Sequence, residues 1–202
     1  MNYFYEEFLG TAYLTHLKFI EEMWGVFDLK SKPCPIEVSL SEIKGEDFEG
    51  LFLGKGIIIK HPEFQDGEEF RKDALYHACF ISAHESGHYL HLMMDPEKWK
   101  RFSSIFDRAS NDWKEFVAEL SAIIMSDHFP DMLVPIMKSQ RPIYAVAREV
   151  YTTLTHKKRE DALPELLRSV ARSSPAHLES LIDMYVGKGF YKTISERYKN
   201  QD

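Results

Sequence analysis

The sequence predicts an α+β fold that is predominantly helical, with a small antiparallel or mixed sheet packed on two of the helices and a further helical region towards the C-terminus. Three observations predict this fold. Short β-like runs are confined to residues 36–60, the stretch 68–94 contains no proline, and later segments open on helix-start residues and repeat apolar residues every three or four positions. A chain of 202 residues has the size of one domain, or of one domain with an appended helical piece.

The first predicted element is a helix that ends at Gly25, before a loop that contains prolines. Its apolar face consists of Tyr13, Leu17, Ile20 and Trp24. Strand-like sequence follows, first as alternation at Ile36, Val38 and Leu40, then as two apolar runs on either side of Gly54-Lys55-Gly56. These runs predict a small sheet with a hairpin.

The remainder of the chain is predicted to be helical, beginning with one long helix from Glu68 to Met94. Further helices are expected to begin at Pro96, at Asn111 or Asp112, after Pro130, after Pro142, near Asp161 and after Pro175. Two late helices carry clear apolar faces, formed by Leu163, Leu166, Leu167 and Val170, and by Leu178, Leu181, Ile182, Tyr185 and Val186. Such faces predict a packed core or a subunit contact, so an oligomer formed through the C-terminal helices is possible.

Composition excludes several classes of protein. Hydrophobic residues make up 44% of the chain and charged residues 28%, which is typical of a globular protein. The formal charge of −7 disfavours a polyanion-binding surface, so no nucleic-acid partner is expected. Two cysteines, Cys34 and Cys79, are too few for a disulfide framework and lack metal-binding spacing. Acidic residues near the N-terminus disfavour a signal peptide, so we expect a cytoplasmic protein with no membrane partner.

The long predicted helix contains His84-Glu85-Ser86-Gly87-His88, the pattern H-E-x-x-H. Residues four apart lie about one turn apart on the same helix face, so both imidazoles can reach one metal ion. Zinc suits this arrangement because a catalytic zinc takes three protein ligands and keeps one position for water. Glu85 is rotated about 100° from His84 around the helix, so its carboxylate can lie beside that water. The alternative is a helix with two surface histidines and no metal.

A third ligand must come from elsewhere, because Met94 stands where a longer motif would place a histidine. Glu115 and Glu119 lie one turn apart on the next amphipathic helix, and zinc accepts a carboxylate as third ligand. We expect Glu115 to bind the metal and Glu119 to accept a hydrogen bond from a ligand histidine, because Ile123, one turn after Glu119, offers no acceptor. Alternatively, Glu115 completes a capping box with Asp112, and Glu119 is then the ligand.

Over residues 51–125 the sequence resembles the gluzincin class of zinc metallopeptidases, in which H-E-x-x-H is followed on a later helix by an acidic pair. It looks closest to small soluble members such as the minigluzincins and the ImmA/IrrE-like peptidases. The resemblance implies that His84, His88 and Glu115 bind Zn²⁺ and that Glu85 is the general base. It also implies a zincin-like catalytic domain over residues 1–129, with a helical region, 130–202, packed on it.

The reaction implied is hydrolysis of a peptide bond by zinc-activated water, with Glu85 taking the proton. A second electrophile is expected from the C-terminal half, and the candidates are Tyr144, Tyr151, His128 and His156. A peptide or protein substrate is expected to pair with an edge strand drawn from Leu51, Phe52, Leu53, Ile57, Ile58 and Ile59.

Other functions and one other ligand stay open from the sequence. The site could belong to a non-peptidase zinc hydrolase or to a zinc-binding regulatory protein without turnover, and the chain could be a helical interaction module with an accidental motif. Cys34 could bind the zinc as an inhibitory thiolate, or it could be a small buried apolar residue between two prolines.

Overall fold

The structure is a computed structural model that describes residues 3–29, 34–39, 50–60, 68–105, 107–128 and 141–199. These residues form eight α-helices and three short strands, which confirms the predicted fold class. The helices are α1 (Tyr3–Phe27), α2 (Glu68–Met94), α3 (Pro96–Ser103), α4 (Arg108–His128), α5 (Pro142–His156), α6 (Ala162–Ala171), α7 (Leu178–Val186) and α8 (Phe190–Lys199). The strands are β1 (Ile36–Ser39), β2 (Gly50–Phe52) and β3 (Ile57–Lys60).

The strands form one mixed sheet in the order β1-β3-β2. Strand β3 runs parallel to β1 and antiparallel to β2, and the predicted hairpin is closed by a hydrogen bond of 2.9 Å from the Leu53 N–H to the Gly56 carbonyl. Gly54 at this turn has φ of +75°, a conformation that favours glycine. The predicted strand residue Leu40 lies outside the described residues.

The central position of β3 corrects the expected substrate edge. Ile57, Ile58 and Ile59 are hydrogen-bonded between β1 and β2, so they cannot offer a free edge to a substrate. A sequence of apolar residues marks a buried strand without showing which neighbours it pairs with. The expected edge is therefore reduced to β2, with Leu51 and Phe52, and to Leu53, which follows it.

Helix α1 is two residues longer than predicted, and its buried face differs from the predicted one. Tyr13, placed on the apolar face by its spacing, is 42% exposed. Ile20 of the predicted face is buried, but most of the buried face is rotated by about 100° around the helix and consists of Phe8, Ala12, His16, Phe19, Met23 and Phe27. The buried face includes His16, and a histidine counts as polar in an apolar repeat. The sequence pattern therefore did not indicate this face. The side chain of Trp24 lies outside those described.

Helix α4 begins at Arg108, earlier than the predicted start at Asn111 or Asp112. Its N-terminal cap is Asp107, whose Oδ1 accepts a hydrogen bond of 2.7 Å from the Ser110 N–H. Asp112 lies inside the helix and forms an ion pair with Arg108 at 3.5 Å. The proposed capping box of Asp112 and Glu115 is therefore wrong, and Glu115 is free for another role.

The predicted helix starts at Pro96, after Pro142, near Asp161 and after Pro175 are confirmed, the last one through a short 3-10 turn, Pro175–His177. The helix expected after Pro130 lies outside the described residues. Helix α8 was not predicted, because its first backbone N–H groups are capped from the preceding helix: Asp183 accepts from Gly189 at 2.6 Å and from Tyr191 at 3.0 Å.

One apolar core joins the C-terminal helices to α1, α2 and α4, and the predicted apolar faces of α6 and α7 are in it. A second cluster lies between the sheet, the first half of α2 and the start of α1. The helical region after residue 141 thus packs on the rest of the chain, whereas the division into domains at residue 129 stays a prediction. Among the described helices, none combines the length and hydropathy needed to cross a bilayer.

Candidate metal centre

The H-E-x-x-H motif lies in the middle of α2 and is buried. His84 is 7% exposed, Glu85 5% and His88 8%, and each has a potential ligand atom within 4.8 Å of one in each of the other two. Buried ionisable side chains are costly unless they are paired or bind a metal. The predicted alternative of two surface histidines is therefore wrong.

Glu115 reaches this group from α4. Its Oε2 lies 3.2 Å from Nε2 of His84, and its Oε1 lies 3.8 Å from Nε2 of His88. Two ligands that are each about 2.0–2.1 Å from a tetrahedral zinc lie about 3.3–3.4 Å apart. The His84 contact is close to this value, and the His88 contact is longer and is made by the other oxygen of Glu115. Among the described residues, the group whose potential ligand atoms all lie within 4.8 Å of one another is His84, Glu85 and His88, and Glu115 borders this group as a candidate third ligand.

Glu119 contacts the other side of the His84 ring. Its Oε2 accepts a hydrogen bond of 3.2 Å from Nδ1 of His84, and the side chain is 1% exposed. A carboxylate can only accept at Nδ1, so the proton is held there and Nε2 is the nitrogen that can bind a metal. The two glutamates thus have different positions relative to the same imidazole.

Charge in the site follows from these contacts. Burial lowers the pKa of His84, but the hydrogen bonds to Glu115 and Glu119 outweigh burial and raise it to about 10. Burial opposes ionisation of Glu115, yet its contacts with His84 and His88 hold its pKa well below the usual range. In the metal-free protein, Nε2 of His84 therefore carries a proton that points to Glu115. This proton lies where a metal ion bound to Nε2 would lie. His88 has only the longer contact with Glu115 among the described residues, and burial lowers its pKa to about 3.

One further observation fits a metal. Nδ1 of His88 is buried and has no hydrogen-bond partner among the described residues, and its Nε2 has only the 3.8 Å contact with Glu115. The neutral ring that burial favours presents a free electron pair at one nitrogen. A metal bound at Nε2 would use that electron pair, and the proton would then be on Nδ1, which has no acceptor among the described residues.

The carboxylate of Glu85 lies against strand β2 of the sheet. Its carboxylate accepts a hydrogen bond from the backbone N–H of Phe52 in β2, and burial raises its pKa to about 7. Gly50 allows β2 to come this close, because a Cβ there would lie 3.0 Å from Oε1 of Glu85 and would collide with Ile81. Glu85 thus lies between the candidate ligands and the edge strand, the position expected of a general base.

Helix α5 contacts both glutamates. The Tyr144 hydroxyl donates a hydrogen bond of 2.6 Å to Oε2 of Glu115. Arg148, one turn later, donates to Oε1 of Glu119 from Nε at 3.2 Å and from Nη2 at 3.1 Å. The sequence analysis missed Arg148, although its spacing from Tyr144 repeats the spacing of Glu115 and Glu119.

Three other expected site residues have described positions: Tyr151, His156 and Cys34. Tyr151 is half-buried two turns after Tyr144, and His156 is at the end of α5. The side chain of His128 lies outside those described. Cys34 is buried beside His16, with Sγ 3.4 Å from Nε2 of that ring, and burial raises the pKa of the thiol to about 11. These contacts favour the buried-residue interpretation over an inhibitory thiolate.

Comparisons of the chain with protein-family models, with curated proteins and with solved structures find no match.

Proposed function

We propose that this protein is a zinc-dependent metallopeptidase of the gluzincin type, with a peptide or protein as substrate. The observation that carries the proposal is the placement of the Glu115 carboxylate between Nε2 of His84 and Nε2 of His88, with Glu85 beside them and against an edge strand. This set supplies three protein ligands of the types that catalytic zinc sites use.

When bound, zinc would polarise the scissile carbonyl and lower the pKa of its water. Glu85 would accept the proton of that water and pass it to the leaving amine. A pKa of about 7 suits this role, because a general base works best when its pKa lies near the working pH. Two neutral histidines and one carboxylate leave a net positive charge at the metal, which favours an oxyanion.

Tyr144 is the proposed second electrophile. Of the four candidates, its hydroxyl contacts a proposed ligand, and its ring packs edge-on against His84 with centroids 5.6 Å apart. Burial and the neighbouring Glu115 raise the pKa of the hydroxyl, so it remains a hydrogen-bond donor at every working pH. A donor at this position can turn from the carboxylate to an oxyanion within the same site.

The substrate would lie along β2. The backbone N–H of Phe52 faces Glu85 and not β3, so the outer edge of β2 borders the proposed general base. Main-chain pairing with an edge strand recognises any extended peptide, and side-chain pockets then add selectivity. The two free cysteines suit a reducing compartment, and we propose the cytoplasm.

The proposal is tested by incubating the zinc-loaded protein with an unfolded protein substrate and following new N-termini. We expect cleavage that is abolished by a chelator and reduced by about 10²-fold or more in Glu85→Gln, because an amide cannot accept the proton. Glu97→Gln, an exposed change on α3, is the matched control and should cleave like the wild type.

Each contrary result points to a different function. Bound zinc without cleavage of any substrate would support a regulatory zinc protein. Chelator-sensitive hydrolysis of small esters without peptide cleavage would support a non-peptidase hydrolase. Undiminished cleavage by Glu85→Gln would remove Glu85 from the mechanism.

A further inference from the structure

Two pairs of side chains with the same spacing face each other across α4 and α5. Glu115 and Glu119 lie one turn apart on α4, and Tyr144 and Arg148 lie one turn apart on α5. Tyr144 contacts the first glutamate and Arg148 the second. Helix α5 thus supplies one hydrogen-bonding side chain to each of the two carboxylates that contact His84.

The contact between Arg148 and Glu119 is the more constrained of the two. Oε2 of Glu119 accepts a hydrogen bond from His84. Oε1 accepts two hydrogen bonds from Arg148, from Nε at 3.2 Å and from Nη2 at 3.1 Å. Because Glu119 is 1% exposed, water cannot replace either partner easily. A buried carboxylate with one partner removed would lose its charge compensation and its fixed orientation.

The orientation of Glu119 determines the orientation of His84. The hydrogen bond from Nδ1 fixes both the tautomer and the rotation of the imidazole, and thereby the direction of Nε2. A change in the Glu119 rotamer would therefore alter the ligand atom on the other side of the ring. The path from Arg148 to the proposed metal has two steps, each made of a direct contact.

We propose that Arg148 is a positioning residue for the zinc site, acting on His84 through Glu119. This inference rests on the proposed zinc site and concerns a residue in the helical region that the sequence analysis placed outside the catalytic domain. Arg148 also supplies the positive charge that balances Glu119, so the charge of the zinc is left to Glu115 and to the bound water. Arg148 donates to Glu119 from Nε and Nη2 of its planar guanidinium, a geometry that lysine cannot reproduce.

A purely structural role for Arg148 predicts a different outcome. If the ion pair only fastened α5 to α4, its loss would lower the free energy of unfolding and leave the affinity of the folded protein for zinc unchanged. Zinc affinity must therefore be measured together with the stability of the metal-free protein.

The experiment measures the zinc dissociation constant by competition with a chromogenic chelator for wild type, Arg148→Met and Arg148→Lys. We expect zinc to bind about 10–100-fold more weakly to Arg148→Met, the range for loss of a residue that orients a ligand, and an intermediate loss in Arg148→Lys. Glu149→Gln is the matched control, since it lies on the same helix and breaks only a surface contact with Arg197 at 3.9 Å. Its zinc affinity should equal that of the wild type.

A double-mutant cycle tests the path. If Arg148 acts through Glu119, Arg148→Met should weaken zinc binding no further in a Glu119→Gln background. Fully additive losses, or wild-type zinc affinity in Arg148→Met and Arg148→Lys, would overturn the inference and leave the proposed zinc site intact. Arg148→Lys decides the question if Arg148→Met does not fold. Absence of zinc binding by the wild type would instead overturn the proposed function itself.

Discussion

At the scale of single residues, two chemically identical side chains acquire different positions in the site. Glu115 contacts Nε2 of His84 and Nε2 of His88, and Glu119 contacts Nδ1 of His84. The sequence predicted this assignment from one feature, the presence of an acceptor one turn after Glu115 and its absence one turn after Glu119. The competing capping box was wrong because the cap is Asp107, one residue before a helix start that lacks a local apolar repeat.

The first prediction separates the roles of the two glutamates. Glu115→Gln replaces an anionic oxygen by a weak neutral donor and should sharply lower zinc affinity, whereas Glu119→Gln should lower it by about 10–100-fold, because the amide oxygen can still accept from the imidazole. Zinc titration of both variants, with a thermal melt of each, measures the difference. A larger loss of zinc affinity in Glu119→Gln would mean that the ligand assignment must be exchanged.

A second polar group of the core joins α1 to the helix of the motif. His16 is fully buried, and its Nδ1 donates a hydrogen bond of 2.7 Å to Ser86, while Nε2 accepts one of 3.1 Å from the Cys34 N–H. Burial lowers the pKa of His16 to about 4, so the ring is neutral in the folded protein. Sequence reasoning missed this contact, because nothing local connects residues 70 positions apart.

His16 predicts a loss of stability in acid. Below pH 6.5 the unfolded chain takes up a proton at this histidine, while the folded protein does so only near pH 4, so stability falls as the pH decreases through this window. The contribution of this residue reaches about 3 kcal/mol at the lower end. We measure the free energy of unfolding in urea for the chelator-treated protein between pH 4.5 and 7. This free energy should change less with pH in His16→Gln than in the wild type. The same pH dependence of the unfolding free energy in both proteins would contradict a buried neutral His16. His177→Gln is the control, because His177 is exposed.

At the scale of elements, the site depends on the close approach of α2 and α4. A Cβ at Gly87 would lie 2.7 Å from Cα and 2.8 Å from the carbonyl oxygen of Ala118. Glycine at this position of the motif therefore brings the two helices together and aligns the histidines with the glutamates. The sequence predicted both helices from their periodicity, but the contact between them depends on Gly87, which helix propensity alone marks as unfavourable.

Gly87→Ala should therefore separate the two helices. The neighbouring atoms belong to backbone and cannot turn away, so we expect destabilisation of about 1–3 kcal/mol, the range for overpacked cores, together with weaker zinc binding. Gly10→Ala is the matched control: Gly10 lies inside α1, no atom of the described residues outside the helix's own backbone lies within 4 Å of its Cβ position, and the change should stabilise the helix slightly. Equal stabilities of the two variants in urea unfolding would show that the contact is not tight.

At the scale of the whole molecule, residues from four parts of the chain meet at one site. Helix α2 supplies the histidines, α4 the glutamates and α5 the residues behind them, while β2 lies along Glu85. Motif and helix spacing made the first two parts predictable, because each lies on one helix with a fixed period. From α5, Tyr144 was one of four unranked candidates and Arg148 was not predicted, since both contact the glutamates only through tertiary packing. The order of the strands depends on which strands form hydrogen bonds with each other, so it could not be predicted from the sequence either.

The measurement that tests the central claim most directly is the zinc content per chain, determined by elemental analysis of the zinc-reconstituted and desalted protein. We predict about one zinc per chain for the wild type, because three ligands on two helices define one tetrahedral site. His84→Ala and His88→Ala should hold almost none, and His77→Ala, a change on the same helix outside the proposed ligand set, should hold as much as the wild type. Stoichiometric zinc in both ligand variants, or none in the wild type, would contradict the account.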